Sequence, residues 1–144
     1  MTGERRQGLL DTNILILRRD IDPDQLPDEM AISAITLAEL SAGVHLVTGD
    51  RAEATNERAR RMDVLQRAEN EFEPLPFDSD AARAFGRISA AVQAYGGSPR
   101  SRVADLMIAS VSAAAQLPLY TTNPADFDGL ESIIHVVPVD RPSV

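Results

Sequence analysis

Three acidic residues stand in apolar surroundings: Asp11 in Leu9-Leu10-Asp11-Thr12-Asn13-Ile14, Glu39 in Thr36-Leu37-Ala38-Glu39-Leu40, and Asp105 in Val103-Ala104-Asp105-Leu106-Met107-Ile108-Ala109. Asn123 and a fourth acid, Asp126, follow Tyr120. Unpaired acids are rarely buried, so each setting calls for a partner. Carboxylates gathered in one place repel, and they stay ionised only if a cation or a protonation shift compensates. Oxygen-only donors select a hard cation, Mg²⁺ or Mn²⁺. Such an ion lowers the pKa of a bound water and clamps a phosphate in line.

Each acid also has a purely structural reading. Asp11 can cap a helix beginning near Asn13. Thr36-x-x-Glu39 has the form of a capping box, which would make Glu39 structural. Ser33 is the better cap because it directly follows a strand, and Glu39 then lies too deep in the helix to reach back. Asp105 can complement the dipole of its helix, although the stretch Leu106 to Leu117 carries no charge and reads as buried. Asp126 can cap the turn before Phe127.

The elements that must position these residues alternate. Leu9 and Leu10 end a first strand, so Asp11 falls at a carboxyl end, where open α/β sheets place their ligands. A helix follows from Thr12 to about Arg19, then a turn at Asp22-Pro23-Asp24 closed by Pro27. Glu29 to Ser33 reads as a second strand. Ala34 to Val47 reads as a helix with Ile35, Ala38, Ala42 and Leu46 at helical spacing, widened by Leu37, Leu40, Val44 and Val47. Arg51 to Glu71 is a charged helix with Ala54, Ala59, Met62, Leu65 and Ala68 inward, completing a helical hairpin. Phe72 to Phe77 alternates and reads as an edge strand because of its prolines. Asp78 or Ser79 caps a helix through Ala94, Tyr95 to Pro99 is a loop, and a helix runs from Ser101 or Arg102 to Ala115. Gln116 to Thr121 turns into another strand, Asn123 to Phe127 into a short helix, and Ile133 to Val137 is the last strand. Strands alternating with helices imply an α/β fold with a parallel sheet covered on both faces.

The totals narrow the chemistry. A chain of 144 residues, 44% apolar and 25% charged, suits one domain with a real core. Without cysteine, disulfides and cysteine–zinc sites are excluded, and a reducing cytoplasm fits. The apolar runs are too short to span a bilayer, and the polar start, Met1 to Gln7, lacks a signal-peptide core. His45 and His135 are not at metal-binding spacing and read as structural. The net charge of -8 disfavours polyanion binding by bulk charge, so a nucleic acid would need metal or a local basic patch. All 14 basic residues are arginine.

Leu-Leu-Asp-Thr-Asn, Thr-Leu-Ala-Glu-Leu, Val-Ala-Asp-Leu-Met-Ile-Ala and Leu-Tyr-Thr-Thr-Asn-Pro-Ala-Asp-Phe occur in this order across nearly the whole chain. The ordered set resembles a PIN-domain ribonuclease and, more narrowly, the VapC toxins of bacterial toxin–antitoxin pairs. The resemblance implies a single PIN-like domain over residues 1–144, with a mainly parallel central sheet, flanking helices and a helical hairpin after the second strand. It implies a cytoplasmic, homodimeric, metal-dependent endoribonuclease blocked by a VapB-type antitoxin. Asp11, Glu39 and Asp105 match the metal-centre acids, with Thr12 and Asn13 as the polar residues after the first. Many relatives have Asp where this chain has Asn123, and Asp126 stands at another acidic position, so the fourth place is altered here. RNA phosphates must meet a local positive field, and Arg100 and Arg102 flank the start of the Asp105 helix. Receiver-type signalling domains and haloacid-dehalogenase-type phosphatases rely on a lysine, which is absent here, and the phosphatase pattern wants an Asp where Asn13 stands. A catalytically inactive PIN-like binding module is the alternative from outside enzymology.

Overall fold

Leu9 and Leu10 are both fully buried, yet they serve different cores. They end β1 (Gln7–Leu10), and successive strand residues point to opposite faces of a sheet. The computed structural model describes residues 5–143. Within them β1 pairs in parallel with β2 (Glu29–Ala31) and with β3 (Leu119–Thr121), and β3 pairs in parallel with β4 (Val136–Pro138). The order is β2-β1-β3-β4. Leu9 lies opposite Leu119 and Leu10 opposite Tyr120. Leu9 and Leu119 pack with Ile88, Leu106, Ile108 and Phe127, whereas Leu10 and Tyr120 pack with Ile14, Leu40, Val44 and Leu65. The expected parallel sheet with helices on both faces is what the chain forms.

The first face belongs to α4 (Ser79–Tyr95) and α5 (Val103–Ala115). The second belongs to α1 (Thr12–Leu17), α2 (Ala34–His45) and α3 (Ala52–Glu71). Asp78 caps α4 by accepting from the Ala81 amide at 2.9 Å. The expected hairpin of α2 and α3 is present, tied by Arg61, which donates to the Gly43 carbonyl at 2.7 Å, and by Arg58, which donates to the Val47 carbonyl at 3.2 Å. Among the described residues no helix is long and apolar enough to cross a membrane.

Several expectations need correction. Phe72 to Phe77 is not a strand. Leu75 alone bridges to Ser33, its amide donating to the Ile32 carbonyl and its carbonyl accepting from the Ala34 amide, both at 2.8 Å. Pro74 and Pro76 on either side have no N–H with which to extend the ladder. The second strand stops at Ala31 because Ile32 turns to Leu75. The last strand begins at Val136 rather than Ile133, since the Ile133 and Ile134 amides are bound to the Leu130 carbonyl in a turn. The first helix tightens into a 3₁₀ turn at Arg18. On α3, Ala59 is exposed, while Leu65 and Ala68 face inward as expected. On α2 the inner face is Thr36, Leu40 and Val44. Ala38 and Ala42 are exposed, and Leu46 is 72% exposed. The buried stripe is rotated toward a threonine, and the reason lies in the site below.

Gly8 tests the central packing. A Cβ there would lie 2.3 Å from Cε1 of Tyr120, whose ring is 4% exposed, and 3.1 Å from Pro27. Gly8→Ala should therefore lower the unfolding free energy by about 1–3 kcal/mol, as overpacked cores do. A urea midpoint equal to the parent's would show that the Tyr120 ring has room to move.

Candidate active site

Asp11 continues β1 by one residue, its amide donating to the Tyr120 carbonyl at 2.9 Å. Its side chain is 5% exposed. Oδ1 accepts from the Thr12 amide at 2.9 Å and Oδ2 from the Thr121 hydroxyl at 2.8 Å. Asp11 is thus the cap of α1, and the same carboxylate is anchored to the end of β3. The helix-cap reading and the site reading are not alternatives. Burial pushes its pKa up, the bonds from Thr121 and Thr12 pull it down, and the charge of Asp126 pushes it up; the net shift is upward.

Glu39 is carried by α2, whose cap is Ser33: its hydroxyl accepts from the Thr36 amide at 3.1 Å. The capping box is not formed, which leaves Glu39 free to face α1. Its Oε1 accepts from the Thr12 hydroxyl at 2.6 Å, and that hydroxyl lies 3.0 Å from the hydroxyl of fully buried Thr36. The inner face of α2 turns toward Thr36 because Thr36 has a polar partner waiting on α1.

Asp105 occupies the first turn of α5 and is half-buried. Its pKa is raised to about 6, first by desolvation and then by the charges of Asp11, Asp126 and Glu39, with Arg102 acting in the opposite direction. Asp11, Asp126 and Glu39 are each near enough for their charges to act on Asp105. Asp126 is in the 3₁₀ turn Pro124–Phe127. Its carbonyl accepts from Arg102 Nη1 at 3.0 Å, and the Asn123 amide donates to the Thr121 hydroxyl at 3.0 Å. Thr12 and Asn13 open α1 beside Asp11 and are half-buried. Arg100 is exposed on the 3₁₀ turn Pro99–Arg102, and the structure does not bring it to the acids. Both histidines are exposed.

Among the described residues no three acidic or histidine side chains form a finished ligand cage. The donor chemistry nevertheless fits a hard cation. Asp11 and Asp105 are both desolvated carboxylates, the charges of Glu39 and Asp126 also act on Asp105, and all four offer the oxygen donors a hard cation takes. Three contributors escaped sequence reasoning. Thr121 carries no chemistry of its own in the sequence; its place after Tyr120 at the end of a strand is the available signal. Thr36 was weighed only as a helix cap. Arg141 sits in a polar tail without a motif, yet its Nη1 comes to 3.5 Å from Asn123 Oδ1.

Known proteins resemble this chain in sequence and fold. The profile of the PIN domain matches residues 8–132. Ribonuclease VapC5 from Mycobacterium tuberculosis is 37% identical over 131 residues, which cover 88% of this chain and 91% of that protein. In the crystal structure of VapBC-5 from the same organism, a member of the VapBC family of toxin–antitoxin systems, one chain is 35% identical. It superposes with a TM-score of 0.77, covering 92% of this chain and 98% of that one. VapBC2 from Rickettsia felis, solved bound to a DNA fragment from its promoter, shares the fold at 22% identity and a TM-score of 0.65, with 93% and 99% covered. Matched by the PIN domain over residues 8–132 and by these relatives over most of its length, the chain belongs to the PIN domain family.

Proposed function

We propose that this protein is the ribonuclease toxin of a VapBC-type pair, an endonuclease that hydrolyses RNA phosphodiester bonds in the cytoplasm. What supports it is 37% identity to a VapC ribonuclease over most of both chains, together with the charges of Asp11, Glu39 and Asp126 all acting on Asp105. Ribonucleases of this family are metal-dependent. Asp11, Glu39 and Asp105 would hold the ion, Mg²⁺ or Mn²⁺, with Asp126 as a further acid facing them. Such an ion makes a bound water acidic and offsets charge on the phosphate. The chain's own residues do the rest. Thr121 and the Thr12 amide hold the Asp11 carboxylate, and the Thr12 hydroxyl holds Glu39. Thr12, Asn13 and Asn123 offer neutral polar groups to the RNA, and Arg102 offers charge to its phosphates. Asn123 in place of the commoner acid is the one feature that favours an inactive binding module. Mn²⁺-dependent RNA cleavage by the purified chain would remove that reading.

The partner is a VapB-type antitoxin. A groove of about 960 Å³ runs between α1, α2 and α3; Leu15, Leu40, Val64 and Phe72 contribute apolar surface among arginines and acids, and its lining includes Thr12 and Glu39. An antitoxin segment lies there with apolar side chains on that surface and an Arg or Lys against the acids. The toxin is a homodimer, which light scattering of the purified chain would measure.

Substitutions of the acids separate catalysis from folding. Asp11→Asn still caps α1 but removes one of the repelling charges. Without metal it should be at least as stable as the parent, while RNA cleavage falls by about two orders of magnitude or more. A folded Asp11→Asn protein cutting at the parent's rate would end the metal-site reading. Asp105 gives the pH dependence. Its folded pKa of about 6 exceeds the ordinary 3.8, so between those values the folded chain holds a proton that the unfolded chain has lost. Its stabilising contribution is complete below about pH 4 and is lost as pH rises through about 6. Asp105→Asn should raise the metal-free melting temperature at pH 7 and lose that advantage near pH 4. A constant difference across the range would contradict the shared field.

Arg102→Ala should weaken RNA binding and reduce the slope of log affinity against log salt by about 1. An unchanged slope would take Arg102 out of phosphate contact. For the partner, co-expression of the antitoxin should suppress cleavage, and replacing its groove-end Arg or Lys with Ala should restore it. A complex whose acid cluster stays open to solvent would refute the plug.

A further inference from the structure

The geometry assigns Thr36 a positioning role: its hydroxyl donates to Thr12, which in turn donates to Glu39, and this chain fixes the Glu39 carboxylate for the cation. The inference rests on the reading of Glu39 as a metal ligand. Counting protons sets the direction. An ionised carboxylate only accepts, so the single hydroxyl proton of Thr12 goes to Glu39 Oε1 at 2.6 Å. The 3.0 Å contact between the two threonine oxygens must then use the proton of Thr36. A helical threonine commonly returns its hydroxyl to a carbonyl three or four residues back. Here no such bond is formed: among the described residues the partner of the Thr36 hydroxyl is Thr12. The Thr36 amide is bound to the Ser33 hydroxyl. Thr36 is fully buried, so water does not compete for its hydroxyl.

The consequences follow from where the three residues sit. Thr36 and Glu39 are three apart on one face of α2, and Thr12 is the first residue of α1. Thr12 therefore clamps α1 to α2 at the ligand itself. Without Thr36, the Thr12 hydroxyl loses its donor and its fixed orientation, and Glu39 loses a polarised partner. Groups that orient metal ligands typically cost about 10–100-fold in metal affinity or activity when removed.

The test titrates Mn²⁺ into the purified full chain by calorimetry and measures melting temperature with and without the ion. Thr36→Val keeps the shape and removes the hydroxyl; it should weaken Mn²⁺ binding by about tenfold and shrink the metal-induced rise in melting temperature. Thr36→Ser keeps the hydroxyl and should stay within about twofold of the parent, with RNA cleavage following the same order. In a Thr12→Val background, Thr36→Val should add nothing further. A merely structural role would lower the metal-free melting temperature and leave Mn²⁺ affinity intact, which overturns the proposal. So does a Thr36→Ser protein as impaired as Thr36→Val, or full additivity with Thr12→Val. Should Thr36→Val not fold, Thr36→Ala is read by the same criteria, and if neither folds the hydroxyl is required for folding and the positioning role is withdrawn. Glu39→Gln distinguishes the two levels. If it weakens Mn²⁺ binding and Thr36→Val does not, the positioning role alone fails. If Glu39→Gln leaves binding at the parent's level, the metal-ligand reading of Glu39 fails as well.

Discussion

A carboxylate that is 5% exposed must be solvated by the protein, and the sheet edge is built around doing so for Asp11. Parallel pairing of β1 with β3 aligns Leu10 with Tyr120, which sets Asp11 beside Thr121 across a separation of 110 residues in sequence. The start of α1 supplies the second donor through the Thr12 amide. Neither donor exists unless strand register and helix start agree to within a residue. A one-residue slip of β1 would also exchange Leu9 and Leu10 between the two cores, so packing on both faces enforces the register the carboxylate needs.

The remaining acids are placed by the same logic at smaller scale. Ser33 starts α2 where the chain leaves β2, and that start decides that Glu39 faces α1 rather than returning to its own backbone. The 3₁₀ turn Pro99–Arg102 starts α5 with no side-chain cap, so Asp105 stays in the first turn unspent on the helix. Each element thus delivers one carboxylate to a shared space. The pKa of Asp105 is raised first by its desolvation and then by the charges of Asp11, Asp126 and Glu39.

Much of this was legible in the sequence because it is local. The apolar pair before Asp11, the Ser33 cap and the uncharged run after Asp105 each specify an element without reference to the others. What was not legible depends on a partner in space. The α2 stripe was expected along Ile35, Ala38 and Ala42, because periodicity treats threonine as a surface residue; burial of Thr36 follows only once Thr12 is placed against it. Phe72 to Phe77 has the alternation of a strand, but its prolines leave Leu75 as a single bridge. Arg141 carries no local pattern at all, and only the path of the tail along β3, with the Val139 amide on the Thr121 carbonyl, brings it near Asn123.

Charge on this acidic chain is distributed by what each arginine is bonded to. On the hairpin side, Arg18 grips Glu71 with two bonds of 2.6 and 2.8 Å, Arg61 and Arg60 share Glu57, and Arg67 pairs with Asp63 at 3.0 Å. Those guanidinium groups are neutralised in place, and exposed pairs of this kind add little stability. Arg102 and Arg141 differ. They bond a backbone carbonyl and an amide oxygen, which orient the guanidinium without cancelling its charge. Both flank the segment from Asn123 to Asp126. Two guanidinium groups whose charge is not cancelled by a carboxylate therefore border the segment that carries Asp126, on a chain whose net charge is -8.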